Sequence, residues 1–527
     1  MTSSPARAAI RTLIQVWNQS PNPRSLKFLF TVLTVAFSLG IWRYFQHVQK
    51  RRADAAFAAQ HGCKPTRSVF PYRWPFALDL LYRQYQVNKT KKLLAFQSSF
   101  FDRLGTTIEF HLFGDVGFLT FDPNNLESIL ATNFEDYVLG SRSDALRAFL
   151  GEGIFTQDGP KWKHSREMLR RPFVKMHYQN LTGFGEHVED LIVNLKRCTG
   201  VVDLQPYCFR FTLATTTALI FGQPIKDYET QTQHKFASSF DYASLVSAVR
   251  IRLADFYWAY SPSGFHQSCT IVKEYATMFV EQAMKDRDDP TKTTDEKYAF
   301  IQDLYDEYKD PVLVRDQLVN VLIAGRDTTA ALLSWTFFLL VRHPPVLTRL
   351  RQEISSIVGD DATLDRSHIQ KLRWLRCVIN ETSRLYPQLP VNVRIAAKNT
   401  VIPKGGGPDG QSPVMIPKGK GIGWSTYHMH RQKDLYGSDA ESYRPERWET
   451  GELDNIGWGF MPFHGGPRLC LGKDFALMEA SCVIVRILQT FPRLRLPDDA
   501  LVEPAGQERQ SLGILITSAE GCKVVLG

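Results

Sequence analysis

The sequence predicts a mainly α-helical protein, with one large helical domain, a small β-rich region and an amino-terminal membrane helix. Apolar residues recur with a helical period over long stretches beyond residue 160, which indicates packed helices. Two stretches, near 106–121 and 390–416, are predicted to form short strands. The run Phe28–Trp42 is uncharged and, with its flanks, long enough to cross a bilayer.

The helical part of this prediction depends on six segments. They lie at about 160–197, 205–222, 312–342, 345–358, 368–386 and 473–490. The chain has 527 residues, of which 44% are hydrophobic and 22% charged. This composition excludes a mainly disordered, collagen-like or polytopic membrane protein, and the length allows one large core or two to three domains.

The net charge of +9 lies almost entirely at the amino terminus. The first 53 residues contain eight basic residues and no acidic one, so only +1 remains for the rest of the chain. Because the body is nearly neutral, the charge distribution argues against nucleic acid as a partner.

Residues 26–45 are predicted to form a transmembrane anchor. The segment has the length that a spanning helix needs, and Lys27 and Arg43 can snorkel to the interface. A basic cluster at 50–52 follows, which places the large carboxyl-terminal part in the cytoplasm. The alternatives are a cleaved signal peptide and a buried core helix. The long segment before the apolar run argues against a signal peptide.

The anchor has a predicted segment on each side. Residues 1–25 are expected to form a short lumenal amphipathic segment, since apolar residues fall at i, i+3, i+4 and i+7, namely Ile10, Leu13, Ile14 and Trp17. Residues 46–75 are basic and then punctuated by prolines, which predicts a linker. The main folded domain is expected at 76–527.

One of the eight cysteines has a setting that suits chemistry. None of them forms a CxxC pair or a zinc-like cluster. Cys470 lies in the glycine-rich stretch MPFHGGPRLCLG (461–472), just before a helix predicted to begin near Lys473. Backbone N–H groups and the positive end of a helix dipole lower the pKa of a thiol and hold the thiolate. The alternative is a buried structural cysteine.

This stretch resembles the haem-ligand signature of the cytochrome P450 family. The matching pattern is Phe463-x-x-Gly466-x-Arg468-x-Cys470-x-Gly472. Four further motifs precede it in the family's order: WKHSR at 162–166, AGRDTT at 324–329, ETSR at 381–384 and YRPERW at 443–448. The resemblance covers essentially the whole chain. It implies a P450 fold, a haem-thiolate domain at 76–527, haem b as cofactor and Cys470 as the axial ligand of the iron.

The resemblance also implies how the cofactor is held. The haem propionates would be bound by one tryptophan and three arginines, namely Trp162, Arg166, Arg394 and Arg468. A buried ion-pair network behind the haem would fix the loop that carries Cys470, and its members would be Glu381, Arg384 and Arg447.

Two residues of the segment 312–342 are expected to serve catalysis. From Val321 to Val341 the segment is mainly apolar except around Asp327, Thr328 and Thr329. By resemblance, Thr328 would hydrogen-bond the oxygen or its water, and Asp327 would relay protons. The alternatives are a threonine hydroxyl bonded to the carbonyl four residues earlier and an Asp327 neutralised by Arg326. Arg326 receives no role.

The substrate cavity is predicted from three other segments. Leu389, Pro390 and Val391 are expected to pass over the haem, and Leu512 is expected to line the same cavity. Part of the segment Tyr137–Leu150 would contribute as well.

The electrons are expected to come from a separate protein. Gly405–Gly410 formally matches G-x-G-x-x-G, but the surrounding prolines predict a turn between two strands rather than a dinucleotide site. The resemblance therefore implies the membrane-bound NADPH–cytochrome P450 reductase as partner, docking near Lys473. His428-x-His430 lacks the further ligands that zinc needs.

The substrate prediction comes from the resemblance. The segments 153–166, 324–330 and 391–413 are similar to fungal membrane-bound P450 enzymes that hydroxylate alkanes and fatty acids. This implies a hydrophobic small molecule, a long-chain fatty acid or alkane oxidised at or near its terminus, and a single-pass protein of the endoplasmic reticulum membrane. The alternative is a tailoring monooxygenase of a polyketide or terpenoid pathway. A haem-thiolate isomerase or dehydratase, against which Asp327 and Thr328 argue, and a non-catalytic haem protein also remain open.

Overall fold

The computed structural model describes residues 23–179, 182–225, 230–288, 298–359 and 364–527. The chain forms two compact units that divide between Cys63 and Lys64. Most of the predicted lumenal segment 1–25 lies outside the described residues.

The first unit contains one long helix, α1, at Pro23–Gln60. It includes all of the predicted anchor segment, residues 26–45, and continues through residues 46–60, so this part of the predicted linker is helical. The alanine-rich sequence ADAAFAAQ explains the continuation, because alanine has the highest helix propensity. Judged by length and hydropathy over the described residues, none of the single helices qualifies as a membrane span. The one combination that does is Pro311–Arg342 with Pro344–Ile357, which is bent by 111°.

The second unit is mainly helical. Its helices are α2 (Leu78–Lys89), α3 (Leu93–Leu104), α4 (Pro123–Glu127), α5 (Ser141–Leu150), α6 (Gly159–Gln179), α7 (Thr182–Lys196), α8 (Leu204–Phe221), α9 (Gln231–Arg252), α10 (Phe265–Asp288), α11 (Ala299–Tyr308), α12 (Pro311–Arg342), α13 (Pro344–Ile357), α14 (Arg366–Lys371), α15 (Arg373–Leu385), α16 (Thr426–Met429), α17 (Lys433–Tyr436) and α18 (Lys473–Thr490).

The strands form one six-stranded sheet and three strand pairs. They are β1 (Ser68–Val69), β2 (Thr107–Leu112), β3 (Asp115–Thr120), β4 (Tyr137–Val138), β5 (Val201–Asp203), β6 (Val391–Ala396), β7 (Thr400–Gly406), β8 (Ser412–Ile416), β9 (Gly421–Ser425), β10 (Gln510–Leu512), β11 (Ile516–Ser518) and β12 (Lys523–Val525). The large sheet has the order β1-β2-β3-β9-β6-β4, and the pairs are β7–β8, β10–β11 and β5–β12. The segment Gly405–Gly410 joins β7 to β8 as a hairpin, as predicted.

The helix α12 runs through the centre of the helical core. Its first half packs with α9, α10 and α11 in one cluster of buried side chains, which includes Leu318, Phe240 and Phe279. Its second half packs with α13, α15 and α18 in another cluster, which includes Trp335. A helix that is hydrophobic on nearly all sides is buried in the interior, so α12 is the element around which the domain is built.

Most of the predicted elements are present. The segment 160–197 forms two helices, α6 and α7, and 368–386 likewise forms α14 and α15. Among the helices of ten or more residues, the sequence analysis missed α2, α3, α5, α9, α10 and α11. In α9 the buried residues Phe236, Phe240 and Ala243 do recur at helical spacing, but serines and glutamines between them dilute the apolar pattern. The compact unit begins at Lys64, earlier than the predicted residue 76.

Candidate active site

The loop before α18 holds Cys470 in a constrained backbone. The Cys470 N–H donates to the carbonyl of Phe463 at 3.0 Å. Gly466 has a φ of +64°, and a Cβ there would lie 1.9 Å from the carbonyl oxygen of Leu130. This position therefore requires glycine, for the left-handed backbone as well as for the close approach. Leu130 and its neighbours thereby fix the position of the cysteine loop.

The Cys470 side chain is accessible to solvent although protein surrounds the loop. Burial raises the pKa of its thiol, while a hydrogen bond from the Gly472 N–H and the charge of Arg166 lower it. The net direction is upward, whereas the sequence analysis expected a lowered pKa, because desolvation outweighs the N–H group and the nearby cation. The predicted N–H partner is nevertheless present. An accessible sulfur in a surrounded loop indicates that Cys470 faces a recess in the protein.

The middle of α12 also has a face that is accessible to solvent. Between Asp316 and Val341 every residue of this helix is buried except Ala324, Gly325 and Thr328. Ala324 and Thr328 are four residues apart and lie on one face, whereas Gly325 lies against Thr216 of α8. Thr328 is therefore the polar side chain on this accessible face, the opening in α12. Its hydroxyl donates to the Ala324 carbonyl at 2.6 Å, the alternative that the sequence left open, which leaves the oxygen as an acceptor.

Gly325 has a packing role. A Cβ at this position would lie 2.8 Å from the hydroxyl oxygen of Thr216 on α8. The glycine therefore allows α8 and α12 to approach each other closely.

Asp327 is buried and shares an arginine with another helix. Nη1 of Arg326 lies 3.2 Å from Oδ1 of Asp327 and 2.5 Å from Oδ1 of Asp241 on α9. The guanidinium also packs against the rings of Phe209 and Phe240. Burial raises the pKa of Asp327 to about 6, although Arg326 lowers it and Asp241 raises it further. Arg326, to which the sequence analysis gave no role, thus connects the predicted proton relay to α9.

A second buried carboxyl lies behind α12 and was missed by the sequence analysis. Glu479 of α18 accepts hydrogen bonds from the hydroxyls of Thr215, at 2.5 Å, and Thr329. Burial raises its pKa to about 8, so this side chain is mostly protonated at neutral pH. The contact with Glu479 explains why Thr329, unlike Thr328, faces away from the opening.

Two of the predicted propionate ligands join a cluster of three arginines. Arg394 and Arg468 lie near Arg142 of α5, and Asp158 is the carboxylate that stabilises their charge. The Arg468 guanidinium pairs with Asp158 at 2.8 Å. Burial lowers the pKa of Arg142 and of Arg468 to about 10 each, and it lowers that of Arg394 further. Arg394 is buried, and Arg142 and Arg468 are half-buried. Three cations beside one carboxylate leave an excess of positive charge, which suits an anionic ligand.

The other two predicted ligands flank this cluster. The Arg468 guanidinium lies 4.3 Å from the ring centroid of Trp162, and Arg166 lies 5.9 Å from it. Arg166 donates to the Leu469 carbonyl at 2.7 Å, which places it beside the cysteine loop. The i, i+4 spacing on α6 thus brings Trp162 and Arg166 to the same face of the helix. Arg142 was missed because no local spacing connects it to the others.

The three residues of the predicted network form a fully buried cluster. Glu381 contacts Arg384 at 2.8 Å and Arg447 at 3.0 Å, and all three side chains have no solvent exposure. It also accepts bonds from the Trp448 indole at 2.9 Å and the Arg444 N–H at 2.9 Å. Burial raises the pKa of Glu381, but the two arginines lower it more, so the net direction is downward.

The network is linked to the cysteine loop by a histidine. Arg384 donates to the His430 carbonyl at 2.7 Å. The His430 ring donates from Nδ1 to the Arg384 carbonyl, and its Nε2 accepts from the Met461 N–H at 3.0 Å. Burial lowers the pKa of His430 to about 3, so the ring is neutral. Its neighbour in the motif, His428, bonds Ser425 at 2.6 Å. Both histidines of the His-x-His motif are thus structural.

The predicted substrate-lining residues differ in exposure. Leu389 and Val391 are exposed and Leu512 is half-buried. Pro390 is buried, and its carbonyl accepts bonds from Ser425 and Tyr427. The side chains open to a ligand are therefore those of Leu389, Val391 and Leu512.

Comparison with known proteins identifies the family. The sequence model described as cytochrome P450 matches residues 70–519. A cytochrome P450 of Arthroderma benhamiae is 39% identical over 94% of this chain and 98% of its own length. Cytochrome P450 52A13 of Debaryomyces hansenii is 38% identical over 86% and 90%, and cytochrome P450 52A5 of Candida maltosa is 40% identical over 74% and 77%. The chain belongs to the cytochrome P450 family.

This P450 is therefore a monooxygenase with a cysteine-ligated haem b, as the sequence predicted. The site suits that cofactor on two observations. A cysteine sulfur faces a recess, and a buried arginine cluster carries an excess of positive charge where the two carboxylates of a porphyrin need partners. The predicted resemblance to fungal P450 enzymes is confirmed by the yeast and mould relatives.

Proposed function

We propose that this P450 hydroxylates a long-chain fatty acid or alkane at or near the chain terminus, using O2 and electrons from NADPH through P450 reductase. The observation that carries the proposal is the opening in α12, where Thr328 is accessible and the acidic Asp327 lies next to it. The similarity to the cytochromes P450 52A and to the fungal sequence segments supports the choice of a straight-chain substrate.

The residues divide into those that hold the cofactor and those that serve the reaction. Cys470 would bind the iron, and the propionate contacts would come from Trp162, Arg142, Arg166, Arg394 and Arg468. Haem b supplies the activation of O2 and the oxidising power for insertion into a C–H bond. The network around Glu381 acts on the site through the cysteine loop, so its role is positioning.

Asp327 and Thr328 would deliver protons. Arg326 contacts Oδ1 of Asp327, so Oδ2 is the atom at which a proton is held. With a pKa of about 6, this carboxyl exchanges its proton readily near neutral pH. The Thr328 oxygen, as an acceptor, would orient a water molecule at the opening and pass the proton along it.

The electron donor would dock near the cysteine loop. Lys473 begins α18, is exposed, and lies two residues beyond Leu471 of the same loop. An exposed cation at this place suits the acidic surface of a reductase.

We also propose that the protein is a single-pass protein of the endoplasmic reticulum membrane with its catalytic domain in the cytoplasm. The apolar side chains of α1 between Phe30 and Phe45 are exposed. The second unit also exposes eight aromatic side chains, namely Tyr72, Trp74, Phe76, Tyr82, Tyr85, Phe113, Phe256 and Trp258. Within the second unit, Phe113 links the aromatic residues near Phe76 to those near Phe256. Its ring lies 5.4 Å from the Phe256 ring, and its N–H donates to the Phe76 carbonyl. Exposed apolar surface of this kind suits lipid.

The function is tested with microsomes that contain the protein and reductase. Fatty acids and alkanes of matched chain length are supplied with NADPH, and the products are mapped by mass spectrometry. We expect terminal or near-terminal alcohols, and none with Cys470→Ser. Turnover of a polyketide or terpenoid extract without any straight-chain product would support a tailoring enzyme instead. Product formation without O2 would support an isomerase.

The membrane topology is tested by protease protection of sealed microsomes. An epitope before residue 25 should be protected, while the catalytic domain should be digested. Replacing four apolar residues between Phe30 and Phe45 with aspartate should allow alkaline carbonate to extract the protein from the microsomes into the supernatant. Digestion of both ends without detergent would contradict the proposed topology.

A further inference from the structure

A glutamine in the first turns of α12 is buried between three other parts of the domain. Gln317 has no solvent exposure. Its Oε1 accepts a hydrogen bond from the Ile154 N–H at 3.3 Å, and its Nε2 donates to the hydroxyls of Ser165, at 2.7 Å, and Tyr308, at 3.3 Å. The amide oxygen and both amide hydrogens therefore have partners, which fixes the orientation of this side chain.

Two chains of hydrogen bonds lead from Gln317 to Arg468 in the cysteine loop. The first chain passes through Ile154, whose N–H bonds Gln317 and whose carbonyl accepts from Nη1 of Arg468 at 3.4 Å. The second passes through Ser165, whose hydroxyl donates to Oε1 of Gln157 at 2.6 Å. The Gln157 carbonyl in turn accepts from Nη2 of Arg468 at 3.0 Å. Both terminal nitrogens of the guanidinium are thus connected to one side chain of α12.

The segment 151–158, which carries these bonds, is held together by its own contacts. The Thr156 hydroxyl donates to the Gly151 carbonyl at 2.7 Å and accepts from the Gly153 N–H at 2.9 Å. The segment also packs closely on α12, since a Cβ at Gly153 would lie 2.4 Å from Nδ2 of Asn320. Because the segment is bonded internally and packed on the helix, it passes the position of α12 on to Arg468.

Arg468 keeps donors for a further partner. Its Nη2 also pairs with Asp158 at 2.8 Å, and its guanidinium lies 4.3 Å from the centroid of the Trp162 ring. These contacts use both hydrogens of Nη2 and one of Nη1, so the N–H of Nε and the second N–H of Nη1 remain. The arginine is therefore oriented by its neighbours while two of its donors stay available to an anionic group.

Gln317 also shares a face of α12 with the opening. Residues 317, 324 and 328 are spaced by seven and four positions, so they recur on one side of the helix. Gln317 and Thr328 are eleven residues apart, which corresponds to about 16 Å along the helix axis. One helix thus fixes the distance between the proposed proton-delivery residue and the side chain that orients Arg468.

We propose that Gln317 is a positioning residue for the haem, and that it acts by holding the Arg468 guanidinium in the orientation that binds a propionate. The proposal rests on the proposed role of Arg468 as a propionate contact and is independent of the substrate. Loss of the amide would leave the Ile154 N–H without its acceptor and the Ser165 hydroxyl without its donor. Both chains to Arg468 would then be loosened at once.

The test measures how fast the solubilised full-length holoenzyme releases haem to an excess of apomyoglobin. Gln317→Met keeps the length of the side chain and removes the amide. Ser165→Ala breaks the second chain and leaves the first one in place. Tyr308→Phe is the matched control, because it removes a partner of Gln317 that belongs to neither chain.

We expect Gln317→Met to release haem roughly tenfold faster than the wild type, the lower end of the range for losing a group that orients a cofactor ligand. Ser165→Ala should have a smaller effect in the same direction, and Tyr308→Phe should match the wild type. The propionate bending bands of the resonance Raman spectrum should change in Gln317→Met and stay unchanged in Tyr308→Phe. A general loss of stability would not move these bands.

Double variants show whether the effect passes through Arg468. Arg468→Lys keeps a cation but cannot hold the three contacts of the guanidinium, so Gln317→Met should add little to its release rate. Arg394→Lys changes a proposed propionate contact that bonds the Val393 carbonyl and belongs to neither chain. In that background the two effects should multiply. Ser165→Ala serves in the same comparison if Gln317→Met retains too little haem.

The possible failures of the proposal and of the propionate contact are distinguishable. Release at the wild-type rate by Gln317→Met, or an equal acceleration in the Arg468→Lys and Arg394→Lys backgrounds, would overturn the proposal and leave the role of Arg468 intact. If Arg468→Lys itself releases haem at the wild-type rate, the proposed propionate contact is wrong, and the role of Gln317 is wrong with it.

Discussion

Two buried arginine–carboxylate clusters in this P450 are built in opposite ways. In the network around Glu381, all three charged side chains have no exposure, and each carboxylate oxygen has more than one donor. In the cluster on α12, Arg326 is divided between a buried Asp327 and an Asp241 whose side chain is 57% exposed. The first is a fixed structural element. The second connects two helices through one shared guanidinium.

The difference indicates which side of the site is rigid and which side can change. A buried charge with complete hydrogen bonding is held in one arrangement, because losing any partner leaves an uncompensated charge. The Arg326 guanidinium is shared by two carboxylates, of which the exposed one, Asp241, is easily replaced by water. We therefore expect substitutions in the Glu381 network to affect folding and haem binding, and substitutions around Asp327 to affect catalysis.

The largest effect is expected for Glu381→Gln. The variant leaves Arg384 and Arg447 buried with their shared negative charge removed, which costs about 3–5 kcal/mol. Haem content and urea unfolding measure the result, and most of the protein should be recovered without haem. Glu449→Gln is the control, because Glu449 pairs with Arg349 near the surface and should cost no more than about 1 kcal/mol. Equal stability of the two variants would contradict the comparison.

Gly466→Ala tests whether the backbone of the cysteine loop is rigid. The substitution forces an alanine to a φ of +64° and brings its Cβ against the Leu130 carbonyl. Strained φ alone costs about 1–3 kcal/mol, and the overlap adds to it, so the thiolate Soret band of the carbon-monoxide complex should be much reduced. Gly472→Ala lies at a φ of −91° and meets nothing closer than 3.8 Å, so its spectrum should match the wild type. A normal spectrum for Gly466→Ala would show that the loop adapts.

Thr328→Ala tests the catalytic side. Removal of the hydroxyl should leave folding and haem content unchanged, since Thr328 bonds only a carbonyl of its own helix. Product per NADPH should fall by roughly tenfold or more, with peroxide rising in its place, because a positioned proton donor typically contributes at least that much. Thr328→Ser keeps the hydroxyl and should restore most of the coupling. An unchanged product yield in the alanine variant would exclude Thr328 from proton delivery.

The sequence predicted the Glu381 network better than the contacts of Arg326, and the reason is physical. Glu381 and Arg384 are i, i+3 on α15, so one turn of helix brings them together, and Trp162 and Arg166 meet in the same way on α6. Asp241 and Arg326 are 85 positions apart. Their contact depends on how α9 docks on α12, which no local spacing encodes.

The same limit explains what was missed at the cofactor site. Arg394 and Arg468 were predicted by resemblance, but Arg142 and Asp158 were not, since each comes from a separate segment, and Arg142 is joined to β6 only through its bond to Asn392. The glycine-rich run was visible in the sequence, but the contact that excludes a side chain at Gly466, with the carbonyl of Leu130, lies far away in the sequence. Motifs therefore predict residues, and the fold determines their partners.

The smallest effect is expected for Asp241→Asn, and it concerns pH. The pKa of Asp327 is raised to about 6 by burial, lowered by Arg326 and raised by the charge of Asp241. Removing that charge lets Arg326 act on Asp327 alone, so the pKa of Asp327 falls and less of it is protonated at neutral pH. The alkaline limb of product per NADPH should then move to lower pH by a fraction of a unit, because Asp241 is largely exposed and its influence is screened. The pH profile of coupling measures this shift, and Asp255→Asn, which removes an acidic charge just beyond α9 on an exposed residue, is the control. A shift to higher pH would mean that Arg326 leaves Asp327 when Asp241 is lost, and it would contradict the view that the two carboxylates compete for one guanidinium.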